Sequence, residues 1–312
     1  MHLSIASIAA VFIALLPVAG SGQIADTNSL ATQIREQEKA VEASPGKSDG
    51  EAWLKLAILR QDGAQYRDSE RAYRKSISLL TSGNRDVLAD ALDQMGTMYV
   101  ECGQLSKAEP LERQALAIRE ERKDGVGAGV SHTHLAMLLL GRHENAAAEV
   151  EGKVAVSLLV PEQQGRSARL ATPEEQMTAL IDLSLARCAG QDCAAAIPDL
   201  RHALDIAHAN YEENSIPVGF LDFLLGYALW KSGDDDSAEG LMRKGTQELS
   251  TQLGWGHPTY VKALKQYRNF LRETGHPGEA DEIAAKIAKL ERSPGILKAN
   301  SNDRSIGLDQ LH

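Results

Sequence analysis

Aromatic side chains are scarce in this chain: they make up 4% of its 312 residues, although 43% of residues are hydrophobic. A β-sandwich or barrel, whose strands favour aromatic and β-branched residues, is poorly served by that composition, so the core must be built from Ala and Leu. Basic residues are also in deficit, with 33 Lys and Arg against 43 Asp and Glu and a net charge of −10. A phosphate backbone needs a basic face that this balance does not supply, and no nucleic-acid partner is expected. Proline is sparse too (10 residues) and glycine more frequent (26), which suits many short helices joined by turns.

Only three cysteines are present, Cys102, Cys188 and Cys193. They exclude a disulfide framework and a zinc site made of four thiolates. Two readings stand for Cys188 and Cys193, which flank Ala189-Gly190-Gln191-Asp192. They form one bridge, which requires Cα atoms within roughly 7 Å, or they pack as two small apolar side chains.

Residues 1–22 contain no Asp, Glu, Lys or Arg, run apolar from Leu3 to Ala19 and end in small residues. This is the pattern of a secretion signal, with the mature protein expected to begin between Ser21 and Ala25. The lesser reading is a retained amino-terminal anchor, for which the apolar stretch is short against a span of about 20 residues. The expected location is therefore periplasmic or secreted, with no membrane span after signal removal.

Beyond the signal the chain repeats itself. Leu92-x2-Met95-Gly96-x2-Tyr99 is followed by Gly103, Ala108 and Ala115-Leu116, matching the tetratricopeptide order of large residue, Leu-Gly, Tyr, turn Gly and Ala. Small residues recur twelve apart at Ala57/Ser69, Gly96/Ala108, Ser184/Ala196 and Gly226/Ala238, where two packed helices need small side chains to cross closely. A third hairpin is expected around Leu135-Ala136 with its turn at Gly141, two residues early. The last unit keeps the spacing at Arg268 and Ala280 as a capping repeat. The first members fall at 57, 96, 136, 184, 226 and 268. The fold expected is all-α: a solenoid of about six tetratricopeptide-type hairpins over residues 49–292. Before it come a capping helix and linker (23–48), and after it a polar tail (293–312). The stretch 161–169 reads as a polar loop.

Ala108-Glu109-Pro110-Leu111, then Ala115-Leu116-Ala117-Ile118-Arg119-Glu120, resembles the repeats of kinesin light chains and their bacterial relatives. Leu253-Gly254-Trp255-Gly256-His257-Pro258 resembles that family's inter-repeat loop. The resemblance covers roughly residues 28–292. It implies a right-handed superhelix that binds partners on a concave face and carries no catalytic activity. Three departures stand out, the shortened third hairpin among them. Glu112 occupies a place where that family usually packs a large apolar side chain, and its groove asparagine is replaced by Gln94, His134, Asp182, Leu224 and Gln266.

No enzyme signature appears. Gly46-Lys47-Ser48 lacks the earlier Gly and preceding strand of a phosphate-binding loop. Gly125-x-Gly127-x-Gly129 reads as an inter-repeat loop. His132 and His134 point to different helix faces, so they do not make a metal pair as i, i+4 histidines do. Asp234-Asp235-Asp236-Ser237 lacks the rest of a calcium loop and reads as a helix cap. No cofactor and no metal are expected.

The function expected is a non-catalytic scaffold that holds a protein or peptide in the solenoid groove. The alternative is a structural assembly protein that self-associates or docks through its solenoid ends. The sequence nominates Phe220, Phe223, Tyr227 and Trp230 as an apolar anchor site, beside Lys231, Lys262, Lys265, Asn269 and Arg272. Lys265 with Asn269 resembles part of the carboxylate clamp of chaperone-binding tetratricopeptide domains, which implies an acidic or carboxy-terminal group on the ligand. The other reading is that these aromatics pack against neighbouring helices.

Overall fold

The computed structural model describes residues 27–43, 49–160, 170–255 and 257–292. The signal segment, Gly46-Lys47-Ser48, the loop 161–169 and the tail 293–312 lie outside the described residues. Within them the chain forms thirteen helices and no strand. A lone helix, α1 (Thr27–Ala43), precedes six hairpins: α2 (Gly50–Asp62) with α3 (Tyr66–Leu80), α4 (Arg85–Glu101) with α5 (Leu105–Arg122), and α6 (Gly125–Gly141) with α7 (Asn145–Leu159). The series continues as α8 (Pro173–Ala189) with α9 (Cys193–Asn210), α10 (Ile216–Ser232) with α11 (Asp235–Leu253), and α12 (Pro258–Glu273) with α13 (Pro277–Glu291). This is a tetratricopeptide-type α-solenoid, as the repeat spacing requires.

Short polar side chains start several of the helices. Asn84 accepts from the Asp86 and Val87 amides, Asp192 from Ala195 and Asp234 from Ser237. Thr172 and Glu175 form a reciprocal capping box on α8. Each satisfies amides that the first turn leaves without intrahelical partners. The acidic run at 234–236 is thus a cap.

Every hairpin turns on one left-handed residue, seven positions after the first member of its spaced pair. These are Ala64 (φ 53°), Gly103 (62°), His143 (62°), Gln191 (69°), Gly233 (93°) and Gly275 (86°). The third turn is therefore not early. It sits at His143 rather than at Gly141, which is the last residue of α6, and Ala136/Ala148 completes the spacing of twelve with both side chains fully buried. Glycine was a misleading marker because left-handed backbone, though costly for residues with a Cβ, is tolerated where the surrounding helices hold it.

A second correction concerns Gly125, Gly127 and Gly129, which form the first turns of α6 rather than a loop. A Cβ on Gly129 would lie 2.7 Å from the Leu159 side chain, so the small residue lets α7 close on α6. The crossing pairs behave as their spacing implies: Ser69 Oγ donates to the Ala57 carbonyl at 2.8 Å across one hairpin.

First helices of successive hairpins also touch one another: α2 meets α4, α4 meets α6, α6 meets α8 and α10 meets α12. Among the described residues no two second helices pack to a comparable extent. First helices thus form the inner, shorter side of the curved stack and second helices the outer side. One continuous apolar cluster runs from Leu139 to Leu290, whereas the amino-terminal hairpins hold smaller separate ones. Buried charge lies between the second and third hairpins (Asp93, Glu112 and Arg119), on α8 (Asp182) and again on α10 and α11 (Asp222 and Glu248).

Candidate functional site

The aromatic stripe of α10 lies mostly inside the solenoid. Phe220 and Phe223 are each 1% exposed, and Tyr227 and Trp230 are 7% and 6% exposed. The reason is geometric: α10 packs against α9, α11 and α12 together, so a second apolar face is filled by neighbouring helices. The ring edge of Trp230 meets Tyr227 at 5.6 Å and Phe270 of α12 at 5.7 Å, both near perpendicular, the arrangement favoured by ring quadrupoles.

The nominated polar residues are divided. Lys231 stands at the end of α10 with Nζ 3.2 Å from the centroid of the Trp230 ring and 5.9 Å from that of Tyr227. Its ammonium is 3.8 Å from Glu273. Burial lowers its pKa more than the Glu273 carboxylate raises it. Lys265 instead pairs with Glu291 of α13 at 2.7 Å, and Arg272 with Asp281 of α13 at 3.4 Å. Asn269 accepts from Arg268 through Oδ1, and Lys262 is partly buried. The structure therefore brings Tyr227, Trp230 and Lys231 together at the end of α10, with both rings buried and Lys231 exposed, places Phe220 and Phe223 in the core, and turns Lys265 and Arg272 toward carboxylates of the last helix.

Cys188 and Cys193 are joined as a disulfide, with Cα atoms 4.2 Å apart across the turn at Gln191. Cys102 is the free thiol.

The second concentration of chemistry was not nominated as a site. Asp93 on α4, Glu112 and Arg119 on α5, and Ser131 and His134 on α6 form a buried polar cluster. Asp93 and Glu112 are 2% and 0% exposed. Arg119 pairs with Asp93, lies 3.0 Å from Asp90, and donates to the Gly127 carbonyl and to Ser131 Oγ at 2.9 Å each. His134 Nδ1 lies 3.2 Å from Glu112 Oε2 and 3.8 Å from Asp93 Oδ1. His132, by contrast, faces Glu151 at 2.6 Å, so the two histidines diverge as their spacing requires.

Burial pushes the Glu112 carboxyl up despite the pull of His134. Burial would also strip the His134 ring of its proton, but Glu112 and Asp93 hold it there. On α8, Asp182 is 1% exposed, and burial raises its carboxyl to about 8, opposed by His134. A Cβ on Gly96 would lie 2.2 Å from Glu112 Oε1. The glycine of the best-matching repeat thus makes room for the residue that departs most from the family pattern.

No protein-family profile and no curated protein match this sequence. Solved structures do resemble it. A putative kinesin light chain from Podospora anserina with nearly identical repeats is 16% identical, with 66% of this chain and 95% of that chain covered and a TM-score of 0.53. The apo form of RapI is 12% identical, with 86% and 92% covered and a TM-score of 0.66. A Rap protein complexed with competence and sporulation factor is 12% identical, with 88% and 79% covered and a TM-score of 0.58. At such identities the likeness is one of fold, and the fold is the right-handed tetratricopeptide-type α-solenoid.

Proposed function

We propose that this chain is a non-catalytic scaffold that binds a protein or peptide on the inner face of its solenoid, in the periplasm or outside the cell. The observation that carries the reading is the layering of the helices: first helices touch one another along α2, α4, α6 and α8 and again at α10 and α12, lining an inner side that can hold an extended or helical segment. The similar Rap protein solved with competence and sporulation factor supports the use of this fold for holding a ligand. For location, the apolar residues 1–22 and the Cys188–Cys193 pairing support an oxidising compartment.

Lys231 is the ligand-facing contact, exposed at the end of α10 with its ammonium over the buried Trp230 and Tyr227 rings. An acidic or carboxy-terminal group on the ligand would meet Lys231, which is already drawn to Glu273. Peptide selection from a displayed library, combined with light scattering after size exclusion, tests this. The expected result is a monomer that selects peptides with acidic or free carboxy-terminal ends, with binding weakened about tenfold by Lys231→Glu, a loss of roughly 1.4 kcal/mol, and melting unchanged. A protein that selects no peptide, or that assembles through its ends, supports the structural-assembly reading instead.

A further inference from the structure

We propose that Asp93, Glu112 and His134 form a binding site for a divalent transition-metal ion of the zinc class, buried between the second and third hairpins. The three residues come from α4, α5 and α6, and each offers one donor atom: an Asp oxygen, a Glu oxygen and an imidazole nitrogen. All three atoms lie within 4.8 Å of one another. Zinc bonds of about 2.0–2.2 Å in tetrahedral array place donor atoms roughly 3.3–3.6 Å apart. The His134 nitrogen lies 3.2 Å from Glu112 Oε2 and 3.8 Å from Asp93 Oδ1, straddling that spacing. One imidazole with two carboxylates is also a donor set suited to such an ion.

A further observation points to a cation. Glu112 is fully buried, yet its Oε1 has no hydrogen-bond donor among the described residues. A carboxylate oxygen without a donor is costly to bury, and a metal ion beside it would satisfy it.

The surrounding residues do what residues behind a metal ligand do. Arg119 and Ser131 orient the Asp93 carboxylate, Arg119 from the Oδ2 side and Ser131 by donating to Oδ1 at 3.3 Å. Gly96 provides the space that Glu112 needs. The linear sequence hides the site because its three ligands are separated by 19 and 22 residues and come from three helices. The ion would cross-link two repeats whose apolar interior is interrupted at this point.

Untagged protein is stripped with EDTA, reloaded with zinc chloride, passed over a desalting column and analysed for bound metal by mass spectrometry. The expected result is one zinc retained per chain, a raised melting temperature, and an X-ray absorption spectrum with one imidazole and carboxylate oxygens as ligands. Glu112→Gln and His134→Gln should each abolish retention while circular dichroism stays helical. If either variant unfolds, retention and the absorption spectrum of the unaltered protein decide. The proposal is overturned if the unaltered protein retains no zinc, which would leave protons to balance the cluster. Equal retention in folded variants, or a spectrum without imidazole, overturns it too.

Discussion

Two glycines on one helix should answer the same substitution with opposite signs. Gly245 lies in the middle of α11, where a Cβ would stand 2.4 Å from the carbonyl oxygen of Gly219 and 2.7 Å from the amide nitrogen of Phe223, both on α10. These are backbone atoms, so no side-chain rotation relieves the overlap and the two helices must move apart. Overpacking of that kind costs about 3 kcal/mol or more when backbone must shift. Replacing Gly by Ala in a helix returns about 1 kcal/mol of propensity, so Gly245→Ala should lose about 2 kcal/mol net. Gly240, on the same helix, is exposed, and a Cβ there meets nothing within 4 Å. Gly240→Ala should gain up to about 1 kcal/mol. Thermal melts followed by circular dichroism read both, since 1 kcal/mol moves a domain of this size by roughly 2–4 °C. Gly245→Ala should melt lower by roughly 4–8 °C and Gly240→Ala slightly higher. A Gly245→Ala protein as stable as the unaltered chain would refute the close crossing of α10 and α11.

Other outcomes follow from the same geometry. His143→Gly should raise stability by roughly 1 kcal/mol, because glycine adopts the left-handed turn at φ 62° without the penalty a Cβ incurs; a urea titration that shows no gain or a loss contradicts the turn assignment. Thiol titration of the denatured, unreduced protein should find one free thiol, Cys102, and three after reduction; three before reduction contradicts the bridge. Burial, reinforced by Asp62 and opposed by Gln61, pushes the Glu101 carboxyl up from 4.5 to about 7. The folded chain therefore holds that proton more tightly than the unfolded one, and stability falls as pH rises from 4.5 to 7. Glu101→Gln should remove this loss, gaining on the order of 1 kcal/mol over the unaltered protein by pH 8, and parallel stability curves for the two proteins would contradict it.

The parts of the fold legible in the sequence are those where a packing need restricts residue choice. Ala57/Ser69, Gly96/Ala108, Ser184/Ala196 and Gly226/Ala238 are small because two helices cross there, and that requirement survives in the bare string of residues. Turn register is less legible, since Ala64, His143 and Gln191 take the left-handed conformation that Gly103, Gly233 and Gly275 take elsewhere. The glycines at 125, 127 and 129 misled for a related reason: closeness of α7 at Gly129, and of the Asp124 and Arg119 side chains at Gly127, not a need for a loop, explains the small size of those two. On α10 the pattern showed two apolar faces but not their occupants, because a helix with three packed neighbours and a helix bordering a groove have the same periodicity. Glu112, His134 and Asp182 were visible singly as departures from the kinesin light chain pattern. Their convergence was not, because it depends on how α4, α5, α6 and α8 stack rather than on any local spacing.

Hydrogen exchange measured by mass spectrometry, with and without a selected peptide, tests most directly whether this solenoid binds through its inner face. Slowed exchange should concentrate in the first helices, above all α10 near Trp230 and Lys231 and the adjoining α12. Protection confined to the second helices, or to α1 and α13 at the two ends of the stack, would contradict binding on the inner face.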